Sequence, residues 1–189
     1  GSRGGDYLDG GGDADTIYGG EDADSIYGGD GVDGIDAGTG NDVVWGGANG
    51  DAIQGGDGGD TLRGEAGFDV IMGGLVGDII LGGTETDNLA GEAGNDTIYG
   101  DDGSATAGHA DNISGGDGDD HMFGNGGGDT IYGGHGNDAL EGQAGADILR
   151  PQAGFDYMTG GADADTFLFD TTGFQQDTIW DFTHLVDKI

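Results

Sequence analysis

A nine-residue pattern repeats along almost the whole chain, and it constrains the fold more than any other feature. The pattern is G-G-x-G-x-D-x-U-x, in which U is a large apolar residue, and residues 55–63 are a clear example. Frames that start at residue 1 give eleven unbroken copies, then a copy lengthened by six residues at 100–114, then six more to residue 168. A register kept over eighteen copies identifies a repeat protein, so the fold must be built from one repeat.

The sixth position of the repeat is aspartate in every copy, and the eighth position is always apolar. The position-six aspartates are Asp6, Asp15, Asp24, Asp33, Asp42, Asp51, Asp60, Asp69, Asp78, Asp87, Asp96, Asp111, Asp120, Asp129, Asp138, Asp147, Asp156 and Asp165. Calcium prefers carboxylate and backbone carbonyl oxygens, and an acidic turn supplies both. These aspartates are therefore the candidate metal ligands. The alternative is that they only cap turns through side-chain hydrogen bonds.

Composition and charge narrow the possible functions. The formal net charge is −34 with only four Lys and Arg residues, which argues against nucleic acid and anionic membranes as partners. Leu, Ile, Val and Phe number 35 of 189 residues, and low apolar content with high like charge is typical of chains that stay disordered until the charge is neutralised. No apolar run approaches a membrane span, and the absence of cysteine excludes disulfides and thiolate metal sites. We find no nucleophile-and-base arrangement and no H-E-x-x-H zinc motif, so we expect this segment not to be an enzyme.

Each copy predicts a turn followed by a short strand. Positions one, two and four hold 38 of the 49 glycines and form the turn, while the last three positions form a strand with one inward apolar side chain. Two copies make a coil of eighteen residues, with odd copies on one side and even copies on the other. The predicted fold is all-β: a parallel β-roll, or two-sheet solenoid, of about nine coils and roughly 40 Å in length.

The pattern resembles the RTX (repeats-in-toxin) nonapeptide of bacterial proteins secreted by the type I pathway, over residues 1–168. The resemblance implies a parallel β-roll in which calcium ions lie between neighbouring turns on each side. The position-six carboxylates and the carbonyls of the glycine-rich loop would hold the ions. Asp60 would then share ions with Asp42 and Asp78, and Asp138 with Asp120 and Asp156. Eight gaps on each side would take up to about sixteen Ca²⁺, which would nearly cancel the charge of −34.

The resemblance also implies a function and a location. It indicates a secreted, extracellular calcium-binding domain that folds on calcium binding outside the cell, assists secretion and stabilises a parent protein. The alternatives are the C-terminal module of a secreted enzyme (a protease, lipase or polysaccharide epimerase) and a segment of an extracellular adhesin. The chain has no initiator methionine or signal peptide, and Gly1-Ser2 is typical of a cloning remnant, so we interpret it as a piece of a longer protein.

The ninth position differs between the two sides of the predicted roll. In odd copies 3 to 13 it holds Tyr27, Trp45, Arg63, Leu81, Tyr99 and Phe123. We call these residues the aromatic column. Such a surface suits polysaccharide or another domain of the parent chain. The interpretation we favour is packing between neighbouring strands.

Two parts of the chain depart from the repeat. Val76 and Glu85 replace glycine at position four, where we expect left-handed backbone, and the lengthened turn follows within 100–114. Together they predict a weak seam between about residues 73 and 114, in which some ion gaps are empty or weak. After residue 168 the period ends, and residues 169–189 are predicted to be a truncated, non-repeat β cap with a strand within 177–182.

Overall fold

The computed structural model describes residues 3–102, 108–169, 176–183 and 186–189. Gly1-Ser2 and residues 103–107 of the lengthened turn lie outside the described residues. Within the described ranges the chain consists of strands, turns and loops, and it contains no helix long and apolar enough to cross a membrane.

Nineteen strands form two parallel sheets along the described chain, and alternate strands belong to the same sheet. The odd-numbered sheet is β1 (Tyr7–Gly12), β3 (Ser25–Asp30), β5 (Val43–Ala48), β7 (Thr61–Ala66), β9 (Ile79–Thr84), β11 (Thr97–Asp101), β13 (His121–Gly126), β15 (Ala139–Ala144), β17 (Tyr157–Ala162) and β19 (Thr178–Ile179). The even-numbered sheet is β2 (Thr16–Glu21), β4 (Gly34–Thr39), β6 (Ala52–Asp57), β8 (Val70–Leu75), β10 (Asn88–Ala93), β12 (Asn112–Asp117), β14 (Thr130–His135), β16 (Ile148–Ala153) and β18 (Thr166–Phe167). This confirms the predicted all-β, two-sheet parallel roll of about nine coils.

The register between neighbouring strands follows the repeat. Leu62 lies opposite Val44 and Ile80, one coil of eighteen residues away on each side. Across the lengthened turn the step becomes 24 residues, and Leu89 still lies opposite Ile113. The insertion therefore leaves later copies on the sides that the sequence predicts for them.

The strands are longer than the sequence predicts. Instead of three residues, most strands have six, because each continues from x-U-x into the first three residues of the next copy. In β5, for example, Gly47 and Ala48 pair with Glu65 and Ala66 of β7. Parallel pairing uses backbone groups, so residues with little or no side chain extend the ladder as well as apolar ones do.

The core is a stack of the position-eight side chains. They lie between the sheets with exposures of 0–3%: Ile26, Ile35, Val44, Ile53, Leu62, Ile71, Ile80, Leu89, Ile98, Ile113, Met122, Ile131, Leu140, Leu149, Met158 and Phe167. Leu8, Ile17 and Ile179, near the two ends of the stack, are only partly buried. Each coil thus contributes two core side chains, a narrow core for its length. Among the described residues, the buried polar side chains are all aspartates apart from Asn125, so the stability of the fold depends on how those are satisfied.

Candidate metal sites

The position-six aspartates lie immediately before the strands and stack in two columns, one along each side of the roll. From Asp24 to Asp165 every one of them is at most 3% exposed. Carboxylates are among the side chains least often fully buried unless they are paired. Sixteen of them in a core this narrow therefore require an explanation.

A hydrogen-bond ladder explains one oxygen of each carboxylate. The backbone N–H of Asp42 donates to Oδ1 of Asp60 at 2.8 Å, and the N–H of Asp60 donates to Oδ1 of Asp78 at 2.8 Å. The same bond joins Asp120 to Asp138 at 2.9 Å and Asp138 to Asp156 at 2.8 Å. The structure therefore brings together the aspartates that the sequence predicts as neighbours. It also shows that the turn-capping alternative describes part of their role.

The second oxygen of the carboxylates has no such partner. Among the described residues, Oδ2 is buried without a hydrogen bond in sixteen of the eighteen position-six aspartates, from Asp15 to Asp156. A buried polar atom without a partner costs about 1–3 kcal/mol, and a charged one costs more. One oxygen in each of these sixteen carboxylates thus has no partner within the described chain.

In the copies that begin with glycine, this glycine lies beside both the unpartnered Oδ2 and a carbonyl oxygen of the next coil. At Gly55, an added Cβ would be 2.5 Å from Oδ2 of Asp60 and 2.5 Å from the carbonyl oxygen of Gly73. The position-one glycines Gly46 and Gly64 have the corresponding two neighbours, the Oδ2 of their own copy and a carbonyl oxygen of the next coil. A Cβ at position one would therefore crowd both a carboxylate oxygen and a carbonyl oxygen, and glycine avoids this.

Burial and like charge together disfavour the charged aspartates. Burial raises the pKa of every position-six aspartate from Asp42 to Asp165, despite the opposing backbone hydrogen bond. For Asp87 and Asp129 the pKa rises to about 8, with neighbouring aspartates adding to the effect of burial. A nearby cation would reverse this tendency, since opposite charge favours the carboxylate form.

These oxygens fit a hard cation such as Ca²⁺, which takes six to eight oxygen ligands from carboxylates, carbonyls and water. Within the described ranges, no three His, Cys, Asp or Glu side chains gather into a group that could hold a metal. An ion in this roll would therefore depend on backbone carbonyls as well as the aspartates of adjacent coils. Zinc and copper would bind poorly, because the aspartate columns provide neither thiolate nor imidazole ligands.

The turns adopt the left-handed backbone that the sequence predicts at position four. Val76 has a φ of 75° and Glu85 a φ of 71°. Position two is also left-handed, as at Glu65 and Gln143, and the repeat pattern did not predict this. Positions two and four of the turn therefore both require a left-handed backbone. Non-glycine residues adopt it at several of these positions.

The model of the RTX calcium-binding nonapeptide repeat family matches the chain at residues 1–35, 33–58, 54–75, 72–106, 114–149 and 141–171. The chain belongs to this RTX family. A search of curated proteins found no match. Family membership makes it a calcium-binding repeat domain, and RTX repeat domains are structural calcium-binding modules.

The aromatic column of the RTX roll is a ladder of stacked side chains. The rings of Tyr27 and Trp45 lie parallel with centroids 4.3 Å apart, and those of Tyr99 and Phe123 lie parallel at 4.8 Å. The guanidinium of Arg63 lies over the Trp45 ring at 5.8 Å. The Trp45 ring thus has a neighbour over each face, and the rings of Tyr27, Tyr99 and Phe123 each have at least one face stacked on a neighbour. This geometry is the packing between strands that we favoured.

Three aspartates outside position six also accept hydrogen bonds from backbone N–H groups of the RTX roll. Asp101, at position two of the lengthened copy, is 4% exposed, and its Oδ2 accepts the N–H of Gly126 at 3.2 Å. In the tail, Asp177 and Asp187 accept the N–H groups of Asp156 and Asp165. None of the three occupies position six, so the repeat pattern did not predict them. A signal was present for Asp177, since Asp177-Thr178-Ile179 repeats the D-T-I triplet of residues 15–17, 96–98 and 129–131.

Proposed function

We propose that this RTX roll binds calcium ions between adjacent coils on both sides, and that calcium binding drives its folding outside the cell. The observation that carries the proposal is the column of buried Oδ2 atoms without partners. Each ion would lie between the aspartates of two adjacent coils. We assign the eighteen position-six aspartates, together with loop carbonyls, as the ligands. Up to about sixteen ions would then bind.

The charge and the core support coupling between binding and folding. A chain of charge −34, with one apolar core residue for each nine-residue copy, has little to oppose carboxylate repulsion when no cation is bound. Structural metal sites that form only in the folded state add their binding free energy to folding. The low calcium of the cytoplasm would keep the chain unfolded during secretion, and extracellular calcium would fold it. RTX repeats occur in secreted bacterial proteins, which supports this location.

A calcium titration followed by circular dichroism tests the proposal. We expect a disordered spectrum in chelator and a β-rich spectrum with calcium, with a midpoint of about 10⁻⁴ to 10⁻³ M, as in extracellular sites. Magnesium should not replace calcium, because it demands a tighter octahedron and keeps its waters. The same β-rich spectrum in chelator and in calcium would disprove the coupling.

A pair of variants in one turn separates ligands from general charge. Asp60→Asn keeps an oxygen that can accept the N–H of Asp42 but removes the charge, so it should raise the calcium midpoint. Asp57→Asn removes the same charge from an exposed residue three positions earlier, and it should leave the midpoint nearly unchanged. Equal shifts would mean that net charge, and not a position-six ligand, sets the response.

We further propose that the roll stabilises a parent secreted protein, as part of an enzyme such as a protease, lipase or polysaccharide epimerase, or of an adhesin. If the aromatic column contacts a partner, its covered ring faces favour packing of another domain along the ring edges over stacking of a polysaccharide. Trp45→Ala with Phe123→Ala should then weaken docking to the parent's other domains without moving the calcium midpoint. A loss of glycan binding alone would instead favour the polysaccharide.

A further inference from the structure

The tail after the last repeat continues the aspartate ladder of the odd-numbered sheet. The N–H of Asp156 donates to Oδ1 of Asp177 at 3.3 Å, and the N–H of Thr178 donates to the carbonyl of Asp156 at 2.8 Å. One coil earlier, Asp138 and Asp156 are joined by the same two kinds of bond, with Tyr157 in the place of Thr178. The spacing is 21 residues instead of eighteen, so the tail forms a further coil side that the nine-residue frame does not detect.

The odd-numbered sheet and the core also continue into the tail. Thr178 and Ile179 of β19 pair in parallel with Tyr157 and Met158 of β17. Ile179 packs against the end of the core, in the place of a position-eight residue. Asp177 thus stands in the place of a position-six aspartate in backbone bonding, pairing and core contact alike.

The gap between these coils contains an unpartnered carboxylate oxygen. Asp156 is 1% exposed, and its Oδ2 has no hydrogen-bond partner. The Asp177 carboxyl group lies beside Asp156, because its Oδ1 accepts the Asp156 N–H. Two carboxylates held against one another, one of them buried, make a site for a cation.

We propose that Asp156 and Asp177 hold a calcium ion beyond the nonapeptide repeats, so that the tail is a calcium-dependent closure of the roll. This inference rests on the proposed binding of calcium by the repeats. Asp187 provides a contrast on the other sheet. It accepts the N–H of Asp165 at 3.2 Å, but its Oδ2 is already taken by the N–H of Thr183 at 2.7 Å. We therefore assign Asp187 a hydrogen-bonding role only.

The tail contains a natural reporter for the ion. Trp180 is 71% exposed, and its ring lies 6.5 Å from that of Tyr157, the residue after Asp156. Trp45 is the other tryptophan of the chain, and Trp45→Phe keeps a ring in the aromatic column. In that background, Tb³⁺, a hard cation that replaces Ca²⁺ at oxygen sites, should emit when Trp180 is excited.

The test compares Asp177→Asn with Asp187→Asn in the Trp45→Phe chain. Each substitution keeps an oxygen that can accept the ladder N–H and removes one negative charge. We expect Asp177→Asn to lower the Trp180-sensitised Tb³⁺ emission several-fold and to lose about one bound Ca²⁺ per chain in equilibrium dialysis. Asp187→Asn should do neither. Calcium-induced circular dichroism of each variant verifies that the repeats still fold.

The outcomes distinguish this inference from the function on which it rests. If both variants keep the full emission and the full calcium count while the chain folds with calcium, the tail ion does not exist and the repeat function stands. If both lose emission equally, the effect is tail loosening and the assignment to Asp177 is wrong. If the parent chain neither folds nor binds with calcium, both proposals fail.

Discussion

Valine at a left-handed position should cost this roll stability, and its replacement by glycine should recover it. Val76 has a φ of 75° at position four of its turn, and its side chain is 62% exposed. The left-handed conformation costs a residue with a Cβ about 1–2 kcal/mol. Glycine avoids that cost but loses about 0.5–1 kcal/mol through its greater freedom in the unfolded chain. Since an exposed valine gives up little buried area, Val76→Gly should stabilise the calcium-loaded roll by roughly 1 kcal/mol.

Thermal unfolding at saturating calcium measures this difference. A gain of about 1 kcal/mol should raise the melting temperature by roughly 2–4 °C for a chain of this length. Asn49→Gly is the matched control, because Asn49 has the same position and a φ of 76°, and asparagine tolerates this conformation. It should change the melting temperature little, or lower it through loss of the bond from Asn49 Nδ2 to the Ala48 carbonyl at 2.6 Å.

The reverse substitution tests the same reasoning from the other side. At Gly58, also a position-four residue, an added Cβ would collide with the carbonyl oxygen of Gly40 in the preceding coil. Gly58→Val should therefore destabilise the roll strongly. A fall in melting temperature for Val76→Gly, or equal gains for Val76→Gly and Asn49→Gly, would refute the assignment of strain to Val76.

Three further predictions concern acid, the tail and the seam. Folding raises the pKa of aspartates such as Asp87 and Asp129 from 3.8 to about 8. At pH values between these two, the calcium-free roll binds more protons than the unfolded chain, so its stability falls as the pH rises. Circular dichroism in chelator should therefore show more β structure near pH 4 than at pH 8, and an unchanged spectrum would contradict the burial of these groups. Deletion of residues 169–189 should raise the calcium midpoint or cause aggregation, and an unaltered midpoint would show the tail to be dispensable. If the seam between about 73 and 114 is weak, calorimetric titration should resolve two calcium phases that Val76→Gly with Glu85→Gly merges, whereas a single phase in the parent chain would exclude it.

The seam illustrates what a sequence pattern can and cannot predict. The ladder bonds that cross it, from Asp60 to Asp78 and from Asp87 to Asp111, are both 2.8 Å, as elsewhere in the roll. Backbone register is therefore insensitive to Val76 and to the insertion, because it follows from pairing across coils. The strain at Val76 was predictable, because the period assigns it to a turn position with a special φ.

Other features could not be read from the period alone. The six-residue strands depend on pairing of backbone groups at positions one to three, where the sequence shows only turn residues. The division of each carboxylate into a bonded Oδ1 and an unpartnered Oδ2 depends on the distance between coils, which no single repeat contains. Asp177 was not predicted as a ladder aspartate because its spacing departs from nine, although its local triplet is that of a repeat.

The few basic residues are not placed where they could neutralise the aspartate columns. Arg3 pairs with Glu21 at 2.9 Å, Arg63 lies over a tryptophan ring, and Arg150 lies over the ring of Tyr132 at 5.6 Å. These three of the four basic side chains are thus engaged away from the aspartate columns, and the backbone N–H groups satisfy only one oxygen of each carboxylate. A ligand that binds only the folded state stabilises it by RT ln(1 + [L]/Kd) at each site, and this term adds over stacked sites. A roll with many weak sites can therefore fold steeply over a narrow range of calcium, because adjacent sites share the aspartates of a common coil.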